Sequence, residues 1–369
     1  MQLPPKRECL EEIKPYVPGK PMEEVKRELG LQEVIKLASN ENPLGPSPKA
    51  KEAMEQALGE VNFYPDGNCF KLKATLSEKM GVEEGQLIIG NGSDELFKIL
   101  TETYLHPGEE AVMPTPSFSE YEFAVRVMGG VPRHVPLKQD FEYDLQAILD
   151  AVNERTRMVF ICNPNNPTGT IVRHRELVEL IENLPPQVIL VVDEAYSEYA
   201  SDPYFPQSLD LFEMEHPMLV LRTFSKIYGL AGLRIGYGIG SQELISDLTR
   251  VKEPFNVNHL AQVAAEAALR DDLHLARSRT LVEESRRQVA VGLEKMGLIP
   301  VPSHANFFFL NIKMDSREAF PQLLKKGIIV RTGDIFGQPH HIRVSFGTLK
   351  QNRLFLEALE EVREEAQSQ

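Results

Sequence analysis

Val188-Ile189-Leu190-Val191-Val192-Asp193-Glu194-Ala195-Tyr196 is the stretch from which the fold can be read. Its five consecutive aliphatic residues leave no polar face, so the strand they form is covered on both sides. Strands of that kind belong to parallel sheets, whose crossover connections lay helices over both faces. The run then stops at a carboxylate. Outward from it, Leu87-Ile88-Ile89-Gly90, Ala111-Val112-Met113, Met158-Val159-Phe160-Ile161-Cys162, Met218-Leu219-Val220-Leu221 and Ile235-Gly236-Tyr237-Gly238-Ile239 read the same way. Helical spacing separates several of them, at 94–104 and 173–181. The pattern predicts an α/β fold with a mostly parallel sheet.

The two ends differ from this middle. Residues 244–297 are helical in pattern, with Pro254 as the clearest break. The runs 307–312 and 342–346 read as strands, each followed by a helical segment, at 316–326 and 351–365. The expected division is an N-terminal arm or small-domain segment at 1–48, a large domain at 49–250, and an interdomain helix with a small α+β domain at 251–369. A length of 369 residues accommodates two such domains and a large core without disulfides.

Composition narrows the function. A net charge of −14 argues against nucleic acid and against a polybasic membrane anchor, both of which need clustered Lys and Arg. The three cysteines, Cys9, Cys69 and Cys162, lie far apart and form no C-x-x-C pair, which disfavours a disulfide framework or a Cys-rich zinc site. His340 and His341 are adjacent, and neighbours on a strand point to opposite faces, so no metal set is expected. The N-terminus carries Pro4, Pro5, Lys6, Arg7 and Glu8 with no apolar core of a leader peptide. No run approaches the ~18 apolar residues of a membrane helix. The expectation is a soluble, cytoplasmic protein.

In open parallel sheets, ligands bind beyond the carboxyl ends of the strands. Each predicted strand here ends in a polar cluster. Gly90-Asn91-Gly92-Ser93-Asp94 lies between a strand and a helix, where free N–H groups can hold a phosphate, although Ser93 or Asp94 could equally serve as a helix cap. It matches neither a P-loop nor a dinucleotide fingerprint. Asp193 stands at a buried strand mouth, suited to a proton-bearing nitrogen, a metal, a helix cap or a salt bridge. Tyr196 follows three residues on. Lys226, in Thr223-Phe224-Ser225-Lys226, is flanked by hydroxyls. Burial and a neighbouring cation would lower its pKa, which an imine-forming amine needs.

The order of these clusters resembles one family. Asn163-Pro164-Asn165-Asn166-Pro167-Thr168-Gly169, then Asp193-Glu194-Ala195-Tyr196, then Thr223-Phe224-Ser225-Lys226 with Leu230-Ala231-Gly232-Leu233-Arg234 is similar to the motif series of fold-type I pyridoxal-phosphate aminotransferases. Residues 37–48 and Tyr64-Pro65-Asp66-Gly67 resemble the histidinol-phosphate aminotransferase branch. The resemblance runs from about Tyr16 to about Arg353. It implies an aspartate-aminotransferase-like fold, with a seven-stranded, mostly parallel sheet in the large domain and a smaller α+β domain.

It also implies roles. Lys226 would bond to pyridoxal 5'-phosphate and later shuttle a proton, and Asp193 would pair with the ring nitrogen. Tyr196 and Asn166 would bind the ring oxygen, and Phe118 would stack on the ring. Ser93, Asp94, Thr223, Ser225 and Arg234 would hold the phosphate, joined by Tyr64 from a second subunit of a homodimer with shared sites. Arg343 and Arg331 would bind the substrate's acid group, and two guanidinium groups suit a dianionic phosphate. Tyr16 and Asn42 would close over the substrate. The implied reaction exchanges an amino group between L-histidinol phosphate and 2-oxoglutarate. The rivals are an aromatic amino-acid aminotransferase, a decarboxylase of a phosphorylated amino acid, and a silent ligand-sensing domain.

Overall fold

The computed structural model describes residues 3–13 and 19–367. Its strands are β1 (Ile35–Lys36), β2 (Leu87–Gly90), β3 (Glu110–Thr115), β4 (Val131–Pro136), β5 (Thr156–Cys162), β6 (Ile189–Asp193), β7 (Met218–Thr223), β8 (Gly236–Gly240), β9 (Phe307–Asn311), β10 (Ile328–Ile329), β11 (Arg331–Thr332) and β12 (His341–Ser345). Seven of them form one sheet in the order β2-β8-β7-β6-β5-β3-β4. Within it β8 alone runs antiparallel to its neighbours. The expected α/β, mostly parallel, seven-stranded architecture is therefore present.

The continuous apolar runs explain themselves in the packing. Side chains alternate across a strand. Val159, Ile161, Leu190 and Val192 enter one core, while Met158, Phe160, Ile189 and Val191 enter another. Both faces are dry, so neither parity of the pattern can be polar. Helices such as Ser93–Tyr104, Ser119–Val127 and His174–Asn183 supply the cover.

Strand β4 escaped the apolar reading. It is an edge strand, mostly exposed, with Pro132 and Pro136 in six residues. Proline cannot donate to a ladder, and a sheet edge is where that loss is tolerated. The helical stretch expected at 244–297 is three helices, Gln242–Val251, His259–Leu269 and Asp272–Lys295. Among the described residues, no helix is long and apolar enough to cross a membrane.

Two small sheets complete the fold. Strands β11-β12-β9 pair antiparallel, and β1 pairs in parallel with β10. The N-terminal segment thus joins the C-terminal part of the chain, and residues 38–41 are carried across the mouth of the large sheet.

Candidate active site

The strand ends expected to carry chemistry converge. One cavity is lined by Ser93, Asp94, Phe118, Asn166, Asp193, Tyr196, Thr223, Ser225, Lys226, Arg234, Arg331 and Arg343. Strands β5, β6 and β7 bring Asn166, Asp193 and Lys226 to it from neighbouring positions in the sheet. The small antiparallel sheet brings the two arginines from across the cleft.

One end of the cavity is built for an anion. The helix Ser93–Tyr104 begins after Gly92, and no side chain caps it. Neither Ser93 nor Asp94 acts as the cap; both lie inside the first turn, where backbone N–H groups point outward and the helix dipole is positive. Gly92 has φ +82°, and a Cβ there would sit 2.6 Å from Arg234 Nη2. Gly236 of β8 lies just behind: a Cβ would be 2.7 Å from the Ser93 nitrogen. The two glycines therefore let the helix start, β8 and the Arg234 guanidinium share one small space. Arg234 is held by Asp94 Oδ2 at 2.9 Å and donates weakly to Ser225 Oγ at 3.4 Å. Thr223 Oγ1 accepts from the Ser225 N–H at 3.0 Å.

At the other end, Asp193 is 3% exposed. Tyr121 donates its hydroxyl proton to Asp193 Oδ2 at 2.6 Å, and the Ala195 N–H donates to Oδ1 at 3.1 Å. Burial pushes the carboxyl up to about 6, against the opposing pull of the Tyr121 bond. Lys226 lies between the two ends. Its Nζ is 3.2 Å from the Ser39 carbonyl and 5.5 Å from the Tyr196 ring centroid. Burial first, then the Arg343 guanidinium, draws its ammonium down to about 8.

The cleft side is cationic. Arg343 is buried, donates to Asn166 Oδ1 and to the Ala38 carbonyl, both at 2.5 Å, and lies over the Phe307 and Phe336 rings. Arg331 stands directly opposite Arg343 across the β11–β12 ladder. Like charges placed opposite one another repel, so a pair facing one cavity favours an anion there.

Tyr196 owes its orientation to Asn40, whose Nδ2 donates to the phenol oxygen at 2.9 Å. With that lone pair occupied, the hydroxyl is set to donate into the cavity. Asn40 is fixed in turn by Ser345 on both its N–H and its Oδ1, each at 2.8 Å, and by Asn306 on its carbonyl. Sequence reasoning missed Asn40 and Tyr121. Tyr121 follows Phe118 by three residues, but Phe118 stands before the helix as its N-cap, and nothing local marks the tyrosine's partner. Asn40 adopts a left-handed backbone, φ 56°, which asparagine tolerates.

Of the expected residues, Asn42 does not line the cavity. Asn42 donates to the Ile227 carbonyl at 2.7 Å and to Ser278 at 2.9 Å, and accepts from the Leu44 N–H; its amide ties its own turn to two distant segments rather than facing a ligand. The residue of that stretch that does line the cavity is Asn40. Tyr64, expected at a second subunit's phosphate site, is 83% exposed and stacked on Phe255, outside this chain's cavity lining. Tyr16 lies outside the described residues.

A family model described as aminotransferase class I and II matches residues 32–359. The chain belongs to that family. This aminotransferase is 55% identical, over 98% of its length and 93% of the relative, to a histidinol-phosphate aminotransferase of Moorella thermoacetica. It is 49% identical, over 96% of its length and 99% of the relative, to one of Caldicellulosiruptor saccharolyticus. Among solved structures, it superposes on the histidinol-phosphate aminotransferase of Sinorhizobium meliloti, in complex with pyridoxal-5'-phosphate, with a TM-score of 0.90. That match covers 97% of each chain at 28% identity.

Proposed function

We propose that this aminotransferase uses pyridoxal 5'-phosphate to exchange an amino group between L-histidinol phosphate and 2-oxoglutarate, yielding imidazole-acetol phosphate and L-glutamate in histidine biosynthesis. The observation that carries the substrate class is Arg331 opposite Arg343 at one cavity. A single guanidinium suffices for a carboxylate, whereas a phosphate dianion offers charge and oxygens for two.

The cofactor fits the donor set. The residues of the anion end match its phosphate, Phe118 its ring face, and the buried Asp193 a protonated ring nitrogen. When bound, it supplies an aldehyde for the amino group and an electron-withdrawing ring. The chain's residues do the rest. Asp193, kept as a carboxylate, holds the nitrogen's proton. Tyr196 and Asn166 present hydrogen bonds to the ring oxygen. Lys226 would anchor the cofactor, and its Nζ would serve as the base that moves the proton at the substrate Cα. Arg343 and Arg331 orient the phosphorylated end.

Attack on an aldehyde needs the neutral amine, and a folded pKa near 8 sets the window. Capture of pyridoxal phosphate by the cofactor-free protein should rise about tenfold per pH unit below 8 and level off above it. Stopped-flow absorbance reads this. A rise continuing to pH 10 would place the lysine in an ordinary aqueous setting.

The reading extends to assembly. We take the molecule to be a cytoplasmic homodimer in which Tyr64 reaches the partner's phosphate site. The exposed Phe63, Tyr64 and Phe70 support a covered surface there. The small domain is taken to be residues 251–369, joined by the arm at 1–48, and the large domain 49–250.

The test is a panel of histidinol phosphate, phenylalanine, tyrosine and histidine with 2-oxoglutarate, compared by kcat/KM. Histidinol phosphate should be preferred. Arg331→Met should lower its kcat/KM roughly 10–100-fold while changing phenylalanine less than about threefold, as expected for losing one charge-assisted pair. Equal losses on both substrates would remove the case for a phosphorylated donor.

A further inference from the structure

Behind the cavity, Tyr121 belongs to the helix Ser119–Val127 and does not line the site. It is fully buried, stacked on Phe160 with ring centroids 4.8 Å apart and edge-on to Phe97 at 4.9 Å. The aromatic rings fix the tyrosine, and its hydroxyl, which also lies beside the Cys162 thiol, is aimed at a carboxylate. That carboxylate is Asp193, whose Oδ2 lies at 2.6 Å.

We propose that Tyr121 is a positioning residue that keeps Asp193 ionised and aimed at the cofactor's ring nitrogen, tuning how tightly the protein holds the cofactor as pH falls. A phenol donates a stronger hydrogen bond to a carboxylate than to a carboxylic acid, so the bond favours the charged form. With Oδ2 held by Tyr121 and Oδ1 by the Ala195 N–H, the carboxylate plane is fixed from behind and its remaining lone pairs face the cavity. The inference rests on the reading that the ring nitrogen faces Asp193.

Other groups bear on Asp193, and none replaces Tyr121. Cys162 at the end of β5 is buried and neutral, its thiol pushed up by burial and by Asp193. Tyr143 donates to the Cys162 carbonyl rather than to the carboxylate. Asp94, at the start of the helix Ser93–Tyr104, raises the proton affinity of Asp193, and Lys226 lowers it. Tyr196 is bound to Asn40. Tyr121 thus provides the one side-chain hydrogen bond to this carboxylate found among the described residues.

The experiment measures the affinity of the cofactor-free protein for pyridoxal phosphate between pH 5 and 8.5, by equilibrium fluorescence. Wild type should weaken in acid with a midpoint set by Asp193, and Asp193→Asn should flatten that part of the profile. Tyr121→Phe should move the midpoint up by on the order of one pH unit, so that affinity at pH 6 falls several-fold more than at pH 8. A single 3-fluorotyrosine at position 121, a better donor of nearly the same shape, should move it down. This second protein serves if the phenylalanine variant folds poorly. A midpoint that stays put in both Tyr121 proteins overturns the inference while leaving the site reading intact. A wild-type profile that Asp193→Asn does not flatten instead removes the ring-nitrogen placement, and the inference with it.

Discussion

Lys226→Ala should leave transamination at less than about one part in ten thousand of wild type, the scale of a lost general base combined with a lost covalent anchor. The argument is geometric as well as chemical. Lys226 stands between an anion-binding end and a buried carboxylate, with its Nζ near the Ser39 carbonyl and the Tyr196 ring. Among the described residues lining the cavity it supplies the only amine. Burial and Arg343 lower its proton affinity, so an appreciable neutral fraction exists at physiological pH. The variant should still bind the cofactor through the helix start, Thr223, Ser225 and Arg234, but more weakly. Single-turnover absorbance with each amino donor would separate retained binding from lost proton transfer. Turnover at the wild-type rate would show that Lys226 is not the base.

Asp193→Asn should lower kcat by about 10²–10⁴, the range for removing a preorganised charge beside the reacting group. The same change should act oppositely on stability. Burial raises the folded carboxyl from 3.8 to about 6. The folded state therefore binds a proton more readily than the unfolded chain, and stability declines as pH rises from about 4 to about 6. Above that window the cost of an ionised, buried group is fully present. The cofactor-free Asn variant should melt higher than wild type at pH 7.5, with the gap closing below pH 4. Saturating pyridoxal phosphate should reverse the order, because wild type binds it more tightly. A variant that melts lower than wild type at every pH would show that the Tyr121 and Ala195 bonds outweigh the burial cost.

What the sequence revealed follows from what kind of contact each residue makes. Asp193, Lys226 and Asn166 were legible because each terminates or closely follows a two-face-buried strand, and strand order places such ends side by side. The six apolar strands were legible for the same reason. Strand β4 was not, because at an edge its exposed residues and prolines resemble a loop. Tyr121 and Asn40 act through partners 72 and 156 residues away, and no local pattern reports such a pairing. The two asparagines of Asn40-Glu41-Asn42 differ in role by backbone direction alone. Asn40 turns into the cavity through a left-handed conformation, and Asn42 turns away toward Ile227 and Ser278. Tyr64 is 83% exposed, with its ring stacked on Phe255.

The parallel pairing of β1 with β10, and the bonds of Asn40 to Ser345 across 305 residues of chain, bear on birth order. A ribosome delivers the sheet strands and Lys226 long before β10 and β12 exist. The large sheet can collapse early from neighbours in sequence. Asn40 must wait for the Asn306 and Ser345 bonds that fix it until almost the whole message has been read. The donor that orients Tyr196 is then not yet fixed by Ser345, and the arginines that would hold the substrate have yet to emerge. The nascent molecule is thus assembled from its floor upward, and its catalytic competence arrives only with the last strand.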